Sequence, residues 1–396
     1  MTAVGPEPAQ TGQARHRSDR PLRVALVSDG IYPYFKGGKE VRIHQLLRRV
    51  AASGVDVHVY TMKWWDGPRV RRDEGITYHA ICRNWPMYAG QRRSLMQAAM
   101  FGLACFRLVV VKADVIDADH MPYVQLLPLK LISLVRRIPL VVTWHEWWGS
   151  DYWNSYLGRI GMVASAVEKV TARMADRLVA DAPGTADRVA GSGVDPARIS
   201  VLSCGVDRAV IDGCPPAQEG PDLVFVGRLL EHKGAHVLLE SLLILRSREV
   251  TPTCTILGDG PERQRLMDLV QTGDLGDQVT FVDRLESQED VFSLIKSARC
   301  FVLPTIREGF GLAVAEALAC GTQVVTTDHP DNQAQYLIVE GVNGHLARPD
   351  ATAFADAIEV SLSQAVDKDA VRSTIVERDW DTLAPRLVEI YEGMRR

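Results

Sequence analysis

The spacing of hydrophobic and polar residues along the chain predicts short buried strands that alternate with amphipathic helices. Residues 22–28 form an apolar run, and after the next loop apolar residues recur at every third or fourth position, which predicts a helix. The same order of strand, loop and helix begins again at residue 223. Further strands are predicted at residues 55–61, 115–118, 140–144, 177–180 and 199–202, and in the second half at 253–257, 279–282, 300–303 and 323–326. Alternation of this kind is typical of α/β domains with helices on both faces of a parallel sheet.

A segment rich in proline and glycine divides the chain. Residues 211–221 contain three prolines and two glycines and show no periodicity, which is typical of a linker between domains. We therefore predict one Rossmann-like domain over residues 21–210 and a second over residues 222–380. Residues 1–20 lack an apolar stretch, which predicts a disordered tail and not a signal peptide. Two such domains in tandem create a cleft between the carboxyl ends of their sheets, where open α/β sheets bind ligands.

Length and composition agree with two domains and argue against some classes of partner. The chain has 396 residues, and at about 150 residues per domain this length predicts two domains. A formal net charge of -4 argues against a general nucleic-acid binder, because that function needs a strong positive excess. The seven cysteines form neither a CxxC pair nor a zinc-spaced cluster, so a reducing cytoplasm is the expected location.

Two segments of the first half combine apolar residues with cations. Residues 94–111 approach transmembrane length but contain Arg107, and cations flank both ends. Residues 126–137 repeat the combination with Lys130, Arg136 and Arg137. We favour helices that turn their apolar side to the core and leave the cations solvated. The alternative, a peripheral surface that rests on anionic lipid at the inner face of the plasma membrane, stays open.

The second half carries two pairs of charged residues at predicted strand ends. Arg228 and Lys233 lie in a loop that follows a strand and opens a helix, and such a helix amino terminus holds phosphate readily. Further along, Glu308 precedes a glycine loop and Glu316 lies in the first turns of the next helix. A lone acid there would only interact with the helix dipole. Two carboxylates around a glycine loop instead suit the hydroxyl groups of a sugar and a ribose.

Taken together and in this order, several short motifs resemble those of one enzyme family. The motifs are Gly37-Gly38 with Glu40, Thr143-Trp144-His145, Ala175-Asp176-Arg177, Gly205-Val206-Asp207, Gly227 to Gly234, Gly258-Asp259-Gly260-Pro261, and Glu308 to Glu316 continuing to Gly321. Over about residues 22–380 the chain resembles a family 4 retaining glycosyltransferase of the GT-B fold, in which two tandem Rossmann-like domains face each other across a cleft. Two local departures are Cys204 and the stretch from Thr327 to Asn332, where the family usually has asparagine and a glycine-rich turn.

The resemblance implies a reaction and a division of labour. A hexosyl group would pass from a nucleotide-diphosphate sugar, a UDP-sugar or GDP-mannose, to a glycan, lipid-linked or small-molecule acceptor, with retention at the anomeric carbon. No metal or other cofactor would be needed, and the enzyme would act in the cytoplasm, for example in cell-envelope glycan synthesis. Residues 21–210 would bind the acceptor, residues 222–380 the donor, and residues 381–396 would form a helix that returns toward the first domain.

The resemblance also implies roles for single residues. Arg228 and Lys233 would neutralise the departing diphosphate in place of a metal ion, Glu308 would bind the transferred sugar, and His145 would face it. The full expected set is His145, Arg228, Lys233 and Glu308 for catalysis, and Gly37, Gly38, Arg228, Lys233, Arg284, Glu308, Gly309, Phe310, Gly311, Leu312 and Glu316 for the donor. On the acceptor side we place Trp147 and Trp148, which follow a strand end, together with Asp119 and His120. Asp117-Ala118-Asp119 spells a short pattern that binds manganese in another glycosyltransferase fold, but it lies far from the phosphate loop and we expect no metal there.

Three other functions stay open. A nucleotide-sugar epimerase or a disaccharide phosphorylase of the same fold would share the cleft. A dinucleotide-dependent oxidoreductase fits less well, because no GxGxxG motif follows the first strand. A catalytically silent carbohydrate-binding protein would not need all four of Arg228, Lys233, Glu308 and Glu316.

Overall fold

The strands form two large sheets, one in each half of the chain. The computed structural model describes residues 20–35, 37–89 and 92–395, so only Arg20 of the predicted disordered tail lies within the described residues. In chain order the strands of the first half are β1 (Arg23–Val27), β2 (Asp56–Lys63), β3 (Val70–Asp73), β4 (Ile76–Arg83), β5 (Tyr88–Ala89), β6 (Arg92–Arg93), β7 (Val115–Asp119), β8 (Leu140–Trp144), β9 (Arg177–Ala180) and β10 (Ile199–Val201). Those of the second half are β11 (Leu223–Val226), β12 (Cys254–Leu257), β13 (Val279–Val282), β14 (Cys300–Leu303), β15 (Gln323–Thr327) and β16 (Gly344–Ala347).

In each sheet the first strand in chain order, β1 or β11, lies in the interior, and later strands lie on both sides of it. Within the described residues, the first sheet has eight strands in the order β10-β9-β8-β7-β1-β2-β4-β3, and only the β3–β4 pair is antiparallel. The second has six parallel strands in the order β13-β12-β11-β14-β15-β16. The strand order therefore reverses at β1 and at β11, and the loops that follow these two strands are where such sheets bind ligands. The predicted α/β class with parallel sheets is confirmed.

Helices cover both faces of each sheet. They are α1 (Gly38–Ala52), α2 (Leu95–Cys105), α3 (Leu126–Arg136), α4 (Gly149–Leu157), α5 (Gly161–Met174), α6 (Pro183–Gly191), α7 (Arg208–Gly213), α8 (Ala235–Ser247), α9 (Arg263–Thr272), α10 (Gln288–Ser297), α11 (Leu312–Ala319), α12 (Ala351–Ser363), α13 (Lys368–Ser373) and α14 (Trp380–Met394). Among the residues that the structure describes, no helix is both long and apolar enough to cross a membrane.

In the first half of the chain, successive side chains of a strand point to opposite faces of the sheet. They pack into two separate hydrophobic clusters. Val24 and Leu26 of β1 face the cluster that α1 covers, whereas Ala25 and Val27 face the cluster that α2, α3 and α5 cover. Central strands such as β8 are buried along their whole length, because helices exclude water from both faces. This two-sided burial produces the continuous apolar runs from which the strands were predicted.

The last helix crosses back to the first half of the chain. α14 packs against α1, and the hydroxyl of its Tyr391 donates a hydrogen bond to Asp117 of β7. Just before the helix, the backbone N–H of Val206 donates to the carbonyl of Arg378 at 2.8 Å. These contacts attach α14 and the residues just before it to the first half of the chain.

The predicted linker is helical at its start. Residues 211–213 belong to α7, which begins because the Asp207 side chain accepts a hydrogen bond from the backbone N–H of Val210. The interpretation of residues 211–221 as wholly aperiodic was therefore wrong for its first three residues. The ammonium group of Lys296, on α10, donates to the carbonyls of Ile211 and Cys214 and so ties this segment to the second sheet.

Candidate active site

Loops at the carboxyl ends of the two sheets touch each other. Arg307, which follows β14, forms an ion pair with Glu146, which follows β8, with 2.7 Å between Nε and Oε1. Arg188 on α6 pairs with Asp331 at 2.6 Å. The residues beyond both sets of strand ends therefore line one cleft, which is the location that the sequence predicted.

His145 lies at the centre of the first domain's side of the cleft, between two buried carboxylates. Its Nδ1 lies 2.6 Å from Asp181 and its Nε2 lies 2.9 Å from Asp119. Burial alone would lower the pKa of His145, but the two carboxylates raise it to about 9. The ring is therefore a cation at neutral pH with both nitrogens occupied, so it is poorly placed to take a proton from a substrate.

The charge network extends from His145 in both directions. Asp119 also contacts the ammonium group of Lys39, 3.2 Å away, and Lys39 contacts Asp29 at 3.0 Å. On the other side, Arg42 pairs with Asp181 at 3.1 Å. Burial raises the pKa of a carboxyl, yet Lys39 and His145 hold the pKa of Asp119 well below its usual range. Alternating charges of this kind fix the geometry of the loops after β1, β7, β8 and β9.

Of the two glycines at the start of α1, Gly38 borders open space, whereas a Cβ on Gly37 would lie 2.6 Å from the carboxylate of Glu40. Gly37 occupies the N-cap position of α1, and Gly38 is its first residue. A Cβ built on Gly38 would meet no atom within 4 Å. Protein packing therefore does not require a glycine at position 38, which leaves close approach of a ligand as a reason for it.

A cluster of cations lies on the second domain's side of the cleft. Lys233 forms an ion pair with Glu308, which brings together two residues predicted for the same site. Arg228 is exposed in the loop after β11. Burial, reinforced by the charges of Arg307, Lys233 and Arg228, lowers the pKa of His232 to about 4. Arg307, Lys233 and Arg228 thus lie close enough to His232 to disfavour its protonated form, and a group of cations of this kind is suited to bind an anion.

The loop from Glu308 to α11 is held by backbone hydrogen bonds within the second domain and touches the first domain at Gly309. The backbone of Glu308 pairs with residues 331 and 333, and Gly311 caps α11 with a left-handed backbone, φ +93°. Phe310 is buried and Leu312 is partly buried, so their backbones, and not their side chains, are what they can offer a ligand. A Cβ built on Gly309 would lie 2.8 Å from the backbone carbonyl oxygen of His145. Gly309 therefore allows the two halves of the cleft to meet.

Replacing Gly309 with alanine is expected to lower kcat/KM about tenfold or more, because the new methyl group pushes the loops apart and a displacement of about 1 Å costs up to ~10²-fold. Steady-state kinetics with the donor varied measures the effect. Gly276→Ala is the matched control, since a Cβ there meets no atom within 4 Å. Equal kinetic constants for the two variants would show that the contact has no role.

Glu316 and Arg284 lie further from this cluster. Glu316 is partly buried on α11, with its Oε1 3.5 Å from Nε2 of Gln288. Burial raises the pKa of Glu316 to about 8, and its binding of the nucleotide ribose stays a prediction. Arg284 is exposed after β13, the edge strand of the second sheet. Within the described residues, no hydrogen bond or ion pair joins either side chain to Lys233.

Of the four residues predicted for the acceptor side, three are buried and only Trp148 is partly exposed. Asp119 and His120 are almost fully buried. Burial lowers the pKa of His120 to about 3, and its Nε2 has no hydrogen-bond partner among the residues that the structure describes. Trp147 is buried, and Trp148 is partly buried in a group of aromatic rings with Tyr152.

The aromatic loop is joined to Arg307 and to a buried acid. The Arg307 guanidinium lies 4.0 Å from the ring centre of Tyr152 and 5.3 Å from that of Trp148. Glu168 on α5 accepts hydrogen bonds from the backbone N–H groups of Trp148 and Gly149 and from Trp153 Nε1, at 2.9 to 3.0 Å. The tryptophans are thus positioned by a carboxylate twenty residues away.

Several site residues were missed by sequence reasoning. These are Lys39, Arg42, Asp181, Glu168 and Arg307. Asp181 could have been found, because it directly follows the apolar run 177–180 and so occupies a strand's carboxyl end. Arg307 and Glu168 carried no such signal, since their partners lie far away in the sequence. Among the described residues no group of three or more His, Cys, Asp or Glu side chains is arranged to hold a metal ion, and the expected independence from metal stays a prediction.

Comparison with known proteins gives the family. Residues 36–210 match the family described as Glycosyltransferase Family 4, and residues 214–374 match Glycosyl transferases group 1. The chain is 30% identical to the lipopolysaccharide core biosynthesis glycosyltransferase LpsE of Rhizobium meliloti, over 65% of this chain and 75% of that protein. The chain belongs to the group 1 glycosyltransferases. This glycosyltransferase is also 25% identical to a glycogen synthase of Mycobacterium tuberculosis over 95% of both chains.

Solved structures of glycosyltransferases share the fold. Sucrose-phosphate synthase from Thermosynechococcus elongatus superposes with a TM-score of 0.74 at 21% identity, over 94% of this chain and 99% of that one. HepE from Anabaena, determined with UDP, has a TM-score of 0.70 at 17% identity and covers 94% and 100% of the two chains. The glycosyltransferase therefore has the predicted GT-B fold.

Proposed function

We propose that this glycosyltransferase moves a hexosyl group from a nucleotide-diphosphate sugar to a glycan, lipid-linked or small-molecule acceptor, with retention at the anomeric carbon. The observation that carries the proposal is the ion pair of Lys233 with Glu308, in a loop whose Gly309 approaches the backbone of His145, with Arg228 exposed in the loop after the neighbouring strand β11. Such a site attracts a diphosphate and places sugar-binding groups beside it.

The cations would bind the leaving group. The ammonium of Lys233 would exchange Glu308 for the donor's diphosphate, and Arg228 would approach it from the loop after β11. Backbone N–H groups at the start of α11 would add positive dipole ends. Charge on the departing phosphate would then be stabilised by preorganised donors, usually the largest contribution to catalysis. Glu308, released from Lys233, would accept hydroxyl hydrogen bonds from the transferred sugar.

The acceptor's proton would go to the donor itself. The bond between the anomeric carbon and the diphosphate oxygen breaks, the acceptor oxygen bonds to that carbon on the same face, and its proton passes to a phosphate oxygen. The two carboxylates that occupy His145 argue against the ring as the base. We assign His145 a fixed positive charge and a positioning role. The unpartnered Nε2 of His120 supports an acceptor site beside it.

The choice of donor rests on similarity. HepE was determined with UDP-glucose, and starch synthase IV of Arabidopsis thaliana with ADP and acarbose. These names support a nucleoside-diphosphate sugar, and a UDP-sugar or GDP-mannose is our proposal for this chain. Action in the cytoplasm, in cell-envelope glycan synthesis and without a metal ion belongs to the same proposal.

A panel of nucleotide sugars tests the function. We expect one donor, in the presence of a metal chelator, to stabilise the protein by about 2.7 kcal/mol when present at 100 times its Kd. Thermal unfolding measures the binding, and proton NMR of the product made with that donor gives its anomeric configuration. Inversion, or a strict need for metal, would contradict the mechanism. An epimerised nucleotide sugar without acceptor, or sugar phosphate formed from a disaccharide and phosphate, would identify the epimerase or phosphorylase instead.

A further inference from the structure

Three neighbouring elements of the first domain turn large apolar side chains to solvent. More than half of the exposed large hydrophobic side chains that the structure describes lie between residues 95 and 170. They fall on α2 with the following 3-10 turn (Phe106–Val110), on α3, and on α5 with the residues just before it. We call the exposed side of these elements the apolar face. Leu95 is 79% exposed, Val110 75%, Leu134 64% and Met162 68%, values typical of side chains without a protein neighbour.

The exposed residues form stripes on one continuous surface. On α2 and the 3-10 turn they are Leu95, Leu103, Phe106 and Val110, on α3 they are Leu127, Leu131, Leu134 and Val135, and on α5 they are Val163, Val167 and Val170. Spacings of three, four or eight residues, which are about one or two helical turns, place most of them on a single side of each element. The opposite sides of all three helices pack into the same cluster on the same sheet face, and α3 contacts both α2 and α5. The outward stripes therefore lie side by side.

The segments of the apolar face are rich in cations, one of which, Lys130, pairs at 2.7 Å with Asp176, just beyond α5. The basic residues of residues 95–112, 124–137 and 158–174 are Arg107, Lys112, Lys130, Arg136, Arg137, Arg159, Lys169 and Arg173. The single acid in these segments is Glu168, which is fully buried. The whole chain has a net charge of -4, so the positive charge of this surface is opposite in sign to that of the chain as a whole. Apolar stripes with cations around them are complementary to an anionic lipid surface, whose headgroups attract Lys and Arg.

The helices are suited to lie on a bilayer. α2 and α3 have 11 residues each, which gives a length of about 16 Å at 1.5 Å per residue, whereas a spanning helix needs about 30 Å. Monomeric proteins rarely leave contiguous apolar surface of more than a few hundred Å² uncovered, and larger patches mark interaction sites.

The apolar face is connected to the acceptor side of the cleft. Gln97, on the buried side of α2, donates a hydrogen bond to Asp29 at 3.1 Å, and Asp29 pairs with Lys39 beside the glycines of α1. Glu168 of α5 holds the backbone of Trp148 and Gly149. A surface that rests on lipid would thus keep the tryptophan loop close to the membrane.

We propose that the apolar face docks the enzyme on an anionic bilayer, with the stripes of α2, α3 and α5 inserted among the headgroups and their cations on the phosphates. This position brings the cleft to acceptors that are anchored in the same bilayer. The sequence had favoured helices with their apolar side in the core, and these helices in fact carry apolar residues on both sides.

Vesicle flotation with the full chain tests the docking. We expect the wild-type protein to float with vesicles of equal parts phosphatidylglycerol and phosphatidylcholine, and much less with phosphatidylcholine alone or at high salt. The double variant Leu131→Glu/Leu134→Glu should lower the partition coefficient about tenfold or more, because two leucines are removed from the apolar phase. Arg159→Glu/Lys169→Glu should have an effect of similar size through charge alone.

Matched controls separate docking from other causes. Val360→Glu/Val376→Glu replaces exposed valines of the second half and should leave flotation unchanged. Thermal unfolding of each variant checks that it folds. Absence of flotation by the wild-type protein would overturn the proposal. So would sedimentation of the wild-type protein as a dimer that Leu131→Glu/Leu134→Glu dissociates, since a second copy would then cover the face. Both readouts are independent of sugar transfer.

Discussion

Lys233→Ala is expected to lower the turnover number about 10²-fold or more, the scale of losing one preorganised donor to a developing negative charge. The ammonium group of Lys233 pairs with Glu308, and in the proposed mechanism the diphosphate replaces that carboxylate. Without Lys233 the phosphate would depart beside Arg228 alone. Steady-state kinetics measures the effect, and kcat and kcat/KM should fall together if the interaction forms in the transition state.

Arg248→Ala is the matched control for this experiment. Arg248 is a cation of the same half of the chain and pairs with Asp356 and Glu359, away from the strand ends. Its removal should leave turnover unchanged. Lys233→Arg keeps the charge but replaces a compact ammonium with a planar fork, so we expect intermediate activity. Near-normal turnover of a correctly folded Lys233→Ala protein would remove Lys233 from the mechanism.

His145→Ala is expected to lower the free energy of unfolding by roughly 3–5 kcal/mol, the cost of removing one partner from a buried ion pair. The variant leaves the carboxylates of Asp119 and Asp181 nearly inaccessible to water without the imidazolium between them. Urea unfolding at neutral pH measures the loss. His145→Gln restores hydrogen bonds but no charge. Its free energy of unfolding should therefore lie between those of the wild-type protein and His145→Ala. A His145→Ala protein as stable as wild type would show that Lys39 and Arg42 balance the carboxylates alone.

The same residue predicts a pH dependence. The pKa of His145 is about 9 in the folded protein and about 6.5 in an unfolded chain. Because the folded value is the higher one, its stabilisation is complete below pH 6.5 and is lost as the pH rises through 9. The raised pKa of Glu316, about 8, acts in the same direction at lower pH. The free energy of unfolding of the wild-type protein should therefore decrease as the pH rises through this window. The part of that decrease that is due to His145 should be absent from His145→Gln. Equal slopes would contradict the assignment.

Burial determines which strands could be predicted from the sequence. The bounds of β8, β9 and β14 were predicted to the residue, because strands covered on both faces are continuous apolar runs. β3 was missed because its residues are mostly exposed at the sheet edge. The turn into β4 passes through Glu74 and Gly75, both with positive φ, a hairpin geometry that the Glu-Gly pair signals only weakly.

The candidate site was predictable where one short motif contains both the functional residue and the strand end that positions it. Arg228 and Glu308 were predicted from their positions after strands, and Gly37 and Gly38 from the resemblance to the family. The protonation states were not, because the carboxylates that make His145 a cation lie 26 and 36 residues away in the chain. The carboxyl of Glu316 likewise appeared ionised in sequence, and only its burial raises its pKa.

The sequence by itself determined two parallel α/β domains, a cleft at their carboxyl ends and some of the charged residues predicted for it. These properties follow from local periodicity and from short motifs, so each is written within a few residues. Tertiary structure alone decided that Gly309 meets His145, that Lys233 pairs with Glu308, and that the basic helices of the first domain present apolar stripes to solvent. Those properties depend on which distant segments pack together, because contact and burial, and not residue type, set the charge and exposure of a side chain.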